Sequence, residues 1–299
     1  MKQQIKSSLI LLLTATIWGV AFVAQSVGME YIGPFTFNAI RCVLGGLVLI
    51  PVILVLKKKK ETGAENQEKE DKKTLWAGGI ACGVILCIAS NLQQIGIMEA
   101  SVGKSGFFTA LYIVMIPVIG IFIGKRPGIK LWFCVALAVV GMYLLCMKDG
   151  SFTIERADIM LLLCALAFSF HILVVDYFSP KVDGVKMSCI QFFVCGVLSA
   201  VGMLFTETPD ISNIQAAWLP LLYAGLLSCG VGYTLQIVGQ KGINPVIASL
   251  IMSLESVISA LAGWVILGQV LSPKEILGCV LMFVAIIITQ IPIGNKKTD

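Results

Sequence analysis

Glu255 is the residue that most needs a chemical explanation. It lies inside Pro245–Leu267, PVIASLIMSLESVISALAGWVIL, a stretch otherwise apolar or small. That stretch has the length of a bilayer-crossing helix, roughly 20 residues at 1.5 Å each. A carboxylate at such depth costs on the order of 3 kcal/mol unless it is paired, protonated or wet. It suits proton handling or a cationic partner; the competing reading is a group that only holds helices together. Arg41 is the complementary charge within another apolar stretch. Helix rise places Arg41 roughly 9 Å and Glu255 roughly 18 Å from the outer end of their helices. Two extended side chains span that difference, so the two are expected to pair, directly or through a bound molecule.

The remaining polar residues sort by depth. Gln25, Arg41, Asn91, Gln93 and Gln94 fall in the outer part of their stretches; His171, Asp176, Gln191, Gln236 and Gln240 fall in the inner part. This predicts two polar vestibules with Glu255 between them. The candidate binding set is Trp18, Arg41, Asn91, Gln93, Tyr112, His171, Gln191, Gln236 and Glu255, with Glu255 also the proton-coupling group. Trp18, Tyr112, Phe22 and Trp264 are aromatics able to stack on an apolar or cationic part of a bound molecule. The competing reading for the amides is bonding across helices, worth roughly 0.6 to 2 kcal/mol each. His171, the single histidine, titrates near neutral pH when unperturbed, but alone on an apolar face it more often packs.

Other chemistries find little support. The ten cysteines all sit in apolar stretches without a Cys-x-x-Cys motif, so they read as small hydrophobes rather than a disulfide framework or metal site. No metal, cofactor or phosphate-binding loop is expected, and ATP is not the energy source. The chain shows no nucleophile with a base at reachable spacing, so an enzyme is not expected. An intramembrane enzyme or a sensor is the alternative reading.

The elements that position these residues are membrane helices. Apolar residues make up 58% and charged residues 13% of the chain, against about 25% charged in soluble domains. Ten apolar spans are expected. They run over about Ser7–Val27, Phe35–Leu56, Leu75–Ile97, Val102–Ile123 and Ile129–Met147, then Ala157–Phe178, Val185–Phe205, Ala216–Val238, Pro245–Leu267 and Lys274–Ile293. Lys57–Lys73 reads as a solvated loop, and Pro117 should kink the fourth span. The first span is expected to be retained rather than cleaved as a signal peptide. With the N-terminus inside, the outer segments hold only Lys104, Lys148, Arg156 and Lys274 among the lysines and arginines. This places both termini in the cytoplasm of a multi-pass protein of the inner or plasma membrane. The net charge of +5 arises from those inner lysines and does not argue for nucleic acid.

The two halves, 1–148 and 149–299, repeat. At an offset of 150, Asn38–Leu54 falls on Ser188–Leu204, Arg41 on Gln191, Gly46 on Gly196 and Trp18 on Phe168. At an offset of 144, Phe107–Lys125 falls on Ile251–Gln269 and Leu111 on Glu255. Five spans per half invert the second half, the architecture secondary transporters use for alternating access around a midplane site. The fold class is therefore all-α integral membrane, ten helices as two inverted five-helix repeats. Close-packing glycines such as Gly45, Gly46, Gly78, Gly79, Gly225, Gly230 and Gly232 are candidate rocking surfaces. The fifth and tenth spans carry almost no polar groups and are expected to face lipid or form a homodimer.

TIWGVAFVAQ in the first span, Arg41 in the second, GKSGFFTALYIVMIPV in the fourth and LESVISALAGWVILGQVLSPKEILGCVLMF in the last two resemble the EamA-type transporters of the drug/metabolite transporter superfamily. The resemblance covers essentially the whole chain. It implies export or exchange of a small metabolite through a central cavity lined by both halves. Gln269 stands where that family usually has a glutamate, and Lys125 holds the matching place in the first half. A carboxylate on the substrate meeting Arg41 and an amine meeting Glu255 make amino acids or their derivatives the expected cargo.

Overall fold

The computed structural model describes residues 2–62, 71–100, 102–124, 127–146, 155–267 and 272–291. Gln269, Lys125, the middle of the lysine-rich loop and the last residues lie outside the described residues, so the expectations placed on them go without a structural outcome. The described chain is helical. The first half comprises α1 (Lys2–Gly28), α2 (Pro34–Thr62), α3 (Lys72–Glu99), α4 (Val102–Ala110), α5 (Tyr112–Phe122) and α6 (Ile129–Cys146). The second comprises α7 (Arg156–Phe178), α8 (Gly184–Thr206), α9 (Ile211–Ala216), α10 (Trp218–Leu222), a π-helical segment (Tyr223–Tyr233), α11 (Thr234–Gln240), α12 (Pro245–Met252), α13 (Glu255–Leu267) and α14 (Pro273–Gln290).

Among the described residues, eight helical stretches are long and apolar enough to cross a membrane. The helices α6 and α14, 18 residues each, hold the fifth place of each half. The expected count of ten rests on these two crossing as well.

Polar caps start several helices. Asp71 accepts from the Lys73 and Thr74 amides at α3, Asp183 from Val185 and Lys186 at α8, and Asn244 from Val246 at α12. Each satisfies donors a helix start leaves unpaired. One cap is supplied from far along the chain. Glu207, just past α8, accepts from the Phe35 and Thr36 amides at 2.8 Å each and from the Thr36 hydroxyl at 2.6 Å. It ties the end of α8 to the start of α2.

The second half is inverted relative to the first, and side-chain register shows it. Along α2 and α8, Phe35 meets Gly202, Val43 meets Gly196 and Gly46 meets Phe193. The numbers run in opposite directions, so these two equivalent helices are antiparallel. The pairs Gly46–Phe193 and Val43–Gly196 exchange under the offset of 150, which puts the pseudo-two-fold axis at this crossing. The helices α6 and α14 repeat the pattern, with Lys130 near Ile291 and Gly141 against Gly278 and Met282. The antiparallel contact of α1 with the π-helical segment (Trp18 to Ser228, Thr14 to Gly232) matches that of α7 with α3 (Leu161 to Gly96, Phe178 to Gly78).

Two expectations change. Pro117 lies inside helix α5, and the fourth span carries a turn residue at Leu111 that the sequence did not suggest. The ninth span breaks at Ser253–Leu254, at nearly the matching place. Turn-like bonds close both breaks: Leu111 N–H donates to Phe108 C=O at 3.2 Å, and Leu254 N–H to Ile251 C=O at 3.2 Å. In α12 and its continuation, the Ser249 and Ser253 hydroxyls donate to the carbonyls of Val246 and Leu250, a habit that bends helices. Lys57–Thr62, expected as loop, continues α2.

Candidate functional site

Both breaks bring their first following residue to the centre of the molecule. Tyr112 opens α5 and Glu255 opens α13, and the Tyr112 hydroxyl donates to Glu255 Oε1 at 3.0 Å. These are the fourth and ninth spans, equivalent under the inverted repeat, and each tightens to a turn just before the residue it delivers.

Arg41 reaches the same place from α2. Its Nη1 donates to Gln25 Oε1 on α1 at 2.9 Å, and its guanidinium carbon lies 5.7 Å from the centre of the Phe37 ring. Its Nε has no hydrogen-bond partner. Arg41 is 2% exposed and Glu255 4%, yet no ion pair within 4.0 Å joins them. The expected direct pair is therefore absent. Each charge is held by neutral groups instead, Arg41 by Gln25 and Glu255 by Tyr112.

Between the two lies a cavity of about 30 Å³, room for about one water molecule. Of the sequence candidates, Trp18, Arg41, Gln93, Tyr112 and Glu255 line it. Phe22, Phe168 and Tyr233 supply further aromatic wall, and Gln25, Thr109 and Ser228 further polar edge. Phe168 had a signal in the sequence, since it is the repeat equivalent of Trp18. Thr109 and Ser228 had none, because a lone hydroxyl in an apolar helix is common.

Ser228 and Tyr233 arrive through the π-helical segment. Side chains of α1 approach carbonyls of this segment. Trp18 Nε1 donates to Ser228 C=O at 3.4 Å, and the Thr14 hydroxyl, which donates to Ile10 C=O within α1 at 3.1 Å, also lies 3.4 Å from Gly232 C=O. Tyr233 then packs against Trp18 in a tilted arrangement, ring centroids 4.6 Å apart and planes at 55°.

Asn91, His171, Gln191 and Gln236 are not among the lining residues. Asn91 is consumed between α2, α3 and α8: it accepts from Asn38 at 2.9 Å and donates to Cys87 C=O and the Ser199 hydroxyl. His171 Nε2 lies 3.1 Å from Gln191 Oε1, and Gln191 Nε2 in turn lies 3.5 Å from the Ser188 hydroxyl. Of the two predicted vestibules, Gln25, Arg41 and Gln93 of the outer set reach the cavity, while Asn91 in that set and His171 and Gln191 in the inner set are engaged in hydrogen bonds between helices. Gln191 is the repeat equivalent of Arg41. Its bond to His171 on α7 mirrors the bond of Arg41 to Gln25 on α1, so each half carries one such link and only the first faces the cavity. Trp264, offered as a cavity aromatic, is 51% exposed on the outer surface. Among the described residues, no group of three or more histidine, cysteine or carboxylate side chains could hold a metal ion.

Inverted halves, two broken helices and a charge-bearing central cavity define a membrane transporter, and the comparisons with known proteins agree. The chain belongs to the EamA-like transporter family, whose model matches twice, over residues 5–147 and 155–291. It is 27% identical over 282 residues to an uncharacterized transporter of Archaeoglobus fulgidus, covering 94% of this chain and 84% of that one. It is 23% identical over 305 residues to the uncharacterized transporter YwfM of Bacillus subtilis, covering 97% and 96%. A solved crystal structure shares the fold with a TM-score of 0.76 at 17% identity, over 95% of this chain and 96% of that one. The protein is a multi-pass membrane protein of this family.

Proposed function

We propose that this transporter exports or exchanges a small zwitterionic metabolite, amino-acid-like, by alternating access, with Glu255 carrying a coupled proton. One observation carries the reading: a buried guanidinium and a buried carboxylate border one cavity without pairing. Leaving either charge unpaired in a low-dielectric site is expensive, and a ligand with opposite charges at its two ends would neutralise both. Its carboxylate would meet Arg41 and Gln25, its ammonium Glu255 and Tyr112, and its body the aromatic wall. When the site is empty, a proton on Glu255 removes that buried charge in place of the ammonium, so substrate and proton compete for one carboxylate.

The cavity has room for about one water, which suits an occluded form that opens to either side as the halves rock. The rocking surfaces in this reading are the α2–α8 crossing and its glycines. The lysine distribution supports an inner-membrane location with both termini in the cytoplasm. The outer faces of α6 and α14, with Phe133, Val140, Leu277 and Ile287 exposed, suit lipid or a second copy of the chain.

Counterflow in proteoliposomes tests the reading. Labelled amino acids are compared with the matching amines that lack the carboxylate, in wild type and in Arg41→Gln. The expected result is loss of amino-acid exchange by at least about tenfold in the variant, the effect of about 1.4 kcal/mol, with amine movement largely kept. Equal loss of both, or none, would contradict the assignment of Arg41 to a carboxylate.

A further inference from the structure

The proposed transport cycle gives the cysteines no role, and four of them converge. Cys42 on α2, Cys87 on α3, Cys195 on α8 and Cys229 on the π-helical segment meet where the two halves cross. The Cys42 thiol donates to Cys195 Sγ at 3.4 Å. The Ser90 hydroxyl lies 3.8 Å from Cys195 Sγ, and Cys87 Sγ lies 3.6 Å from the Ser199 hydroxyl. Cys42 and Cys195 are 1% and 0% exposed. Neither lines the cavity.

Three observations set Cys42 and Cys195 apart from the isolated thiols. They come from equivalent helices of opposite halves, at the pseudo-two-fold crossing. The backbones approach closely there: a Cβ built at Gly196 would lie 3.4 Å from the Val43 nitrogen. Lastly, Arg41, next to Cys42 in sequence, lies close enough to act electrostatically on Cys42, Cys195 and Cys229.

We propose that Cys42 and Cys195 form a thiol-oxidation site, which hydrogen peroxide closes to a disulfide joining the first half of the transporter to the second. In the first step one sulfur attacks the peroxide O–O bond. An S–O bond forms, and hydroxide leaves and takes the thiol proton as water. In the second step the other sulfur attacks the resulting sulfenic sulfur. The S–S bond forms, the S–O bond breaks, and the hydroxyl leaves with the second thiol proton as a second water. The two thiols give up two electrons and peroxide gains them. The Arg41 charge stabilises the hydroxide as it departs. The sulfurs close from 3.4 Å to about 2.0 Å in the disulfide. A bond at this crossing would stop α2 and α8 moving past each other; that consequence for transport rests on the alternating-access reading, while the chemistry does not.

The test treats the full-length protein in proteoliposomes with hydrogen peroxide and maps disulfides by mass spectrometry, with and without dithiothreitol. The expected product is a Cys42–Cys195 linked peptide, reversed by dithiothreitol, absent from Cys42→Ala and from Cys195→Ser, and retained in Cys87→Ala. Peroxide should lower wild-type transport by at least about tenfold and leave Cys42→Ala unaffected. Absence of the linked peptide, or linkage of Cys195 to Cys87 instead, overturns the site. A linked pair in a protein that transports unchanged keeps the site and overturns movement between α2 and α8 during transport.

Discussion

Arg41 separates a functional charge from a structural one. A guanidinium held by one glutamine, without a carboxylate partner, stabilises nothing that an apolar side chain of similar length would not. Exchanging buried charges for apolar groups is often neutral or stabilising by about 1–4 kcal/mol. Arg41→Met should therefore raise the melting temperature in detergent by a few degrees while abolishing amino-acid exchange; a fall in melting temperature would mark Arg41 as architectural. Arg41 and Glu255 were legible in the sequence because a charge inside an apolar span has no compositional excuse. Their mutual geometry was not. Helix rise gives depth but not which way a side chain faces, so it left open whether the two meet directly or through a bound molecule; the structure shows separate bonds to Gln25 and Tyr112. The same missing direction hid the link between His171 and Gln191, whose helices turn these groups towards each other.

At the scale of elements, the breaks in the fourth and ninth spans and the distant cap by Glu207 do the positioning. The breaks place Tyr112 and Glu255 at helix starts, side by side. Their location was hidden in the sequence, because Pro117 draws attention to a point inside α5 while the break at Leu111 carries neither glycine nor proline. The π-helical segment was equally hidden, since its glycines read as packing glycines. Glu207 fastens the C-terminal end of α8 to the start of α2 through three hydrogen bonds. Its repeat equivalent at the offset of 150 is Lys57, whose side chain has no acceptor oxygen for amide donors. Glu207→Ala leaves the first amides of α2 without this partner, and removing a helix cap typically costs about 1 kcal/mol. The expected outcome is a lower melting temperature together with easier modification of the outer end of α2 by impermeant reagents. An unchanged accessibility would show that the latch does not hold that face.

For the whole molecule, the inverted repeat was legible because consistent offsets survive the mutual resemblance of apolar helices. The structure converts those offsets into antiparallel pairs, α2 with α8 and α6 with α14, about a common axis. The central claim is that a substrate and a proton share Glu255 within this frame. The most direct measurement is proton movement in proteoliposomes on adding a panel of amino acids and organic cations, with wild type beside Glu255→Gln. A substrate-driven proton flux is expected in wild type and is lost in the variant. Substrate flux without protons, unchanged in Glu255→Gln, would contradict it and make Glu255 a structural residue of a facilitator.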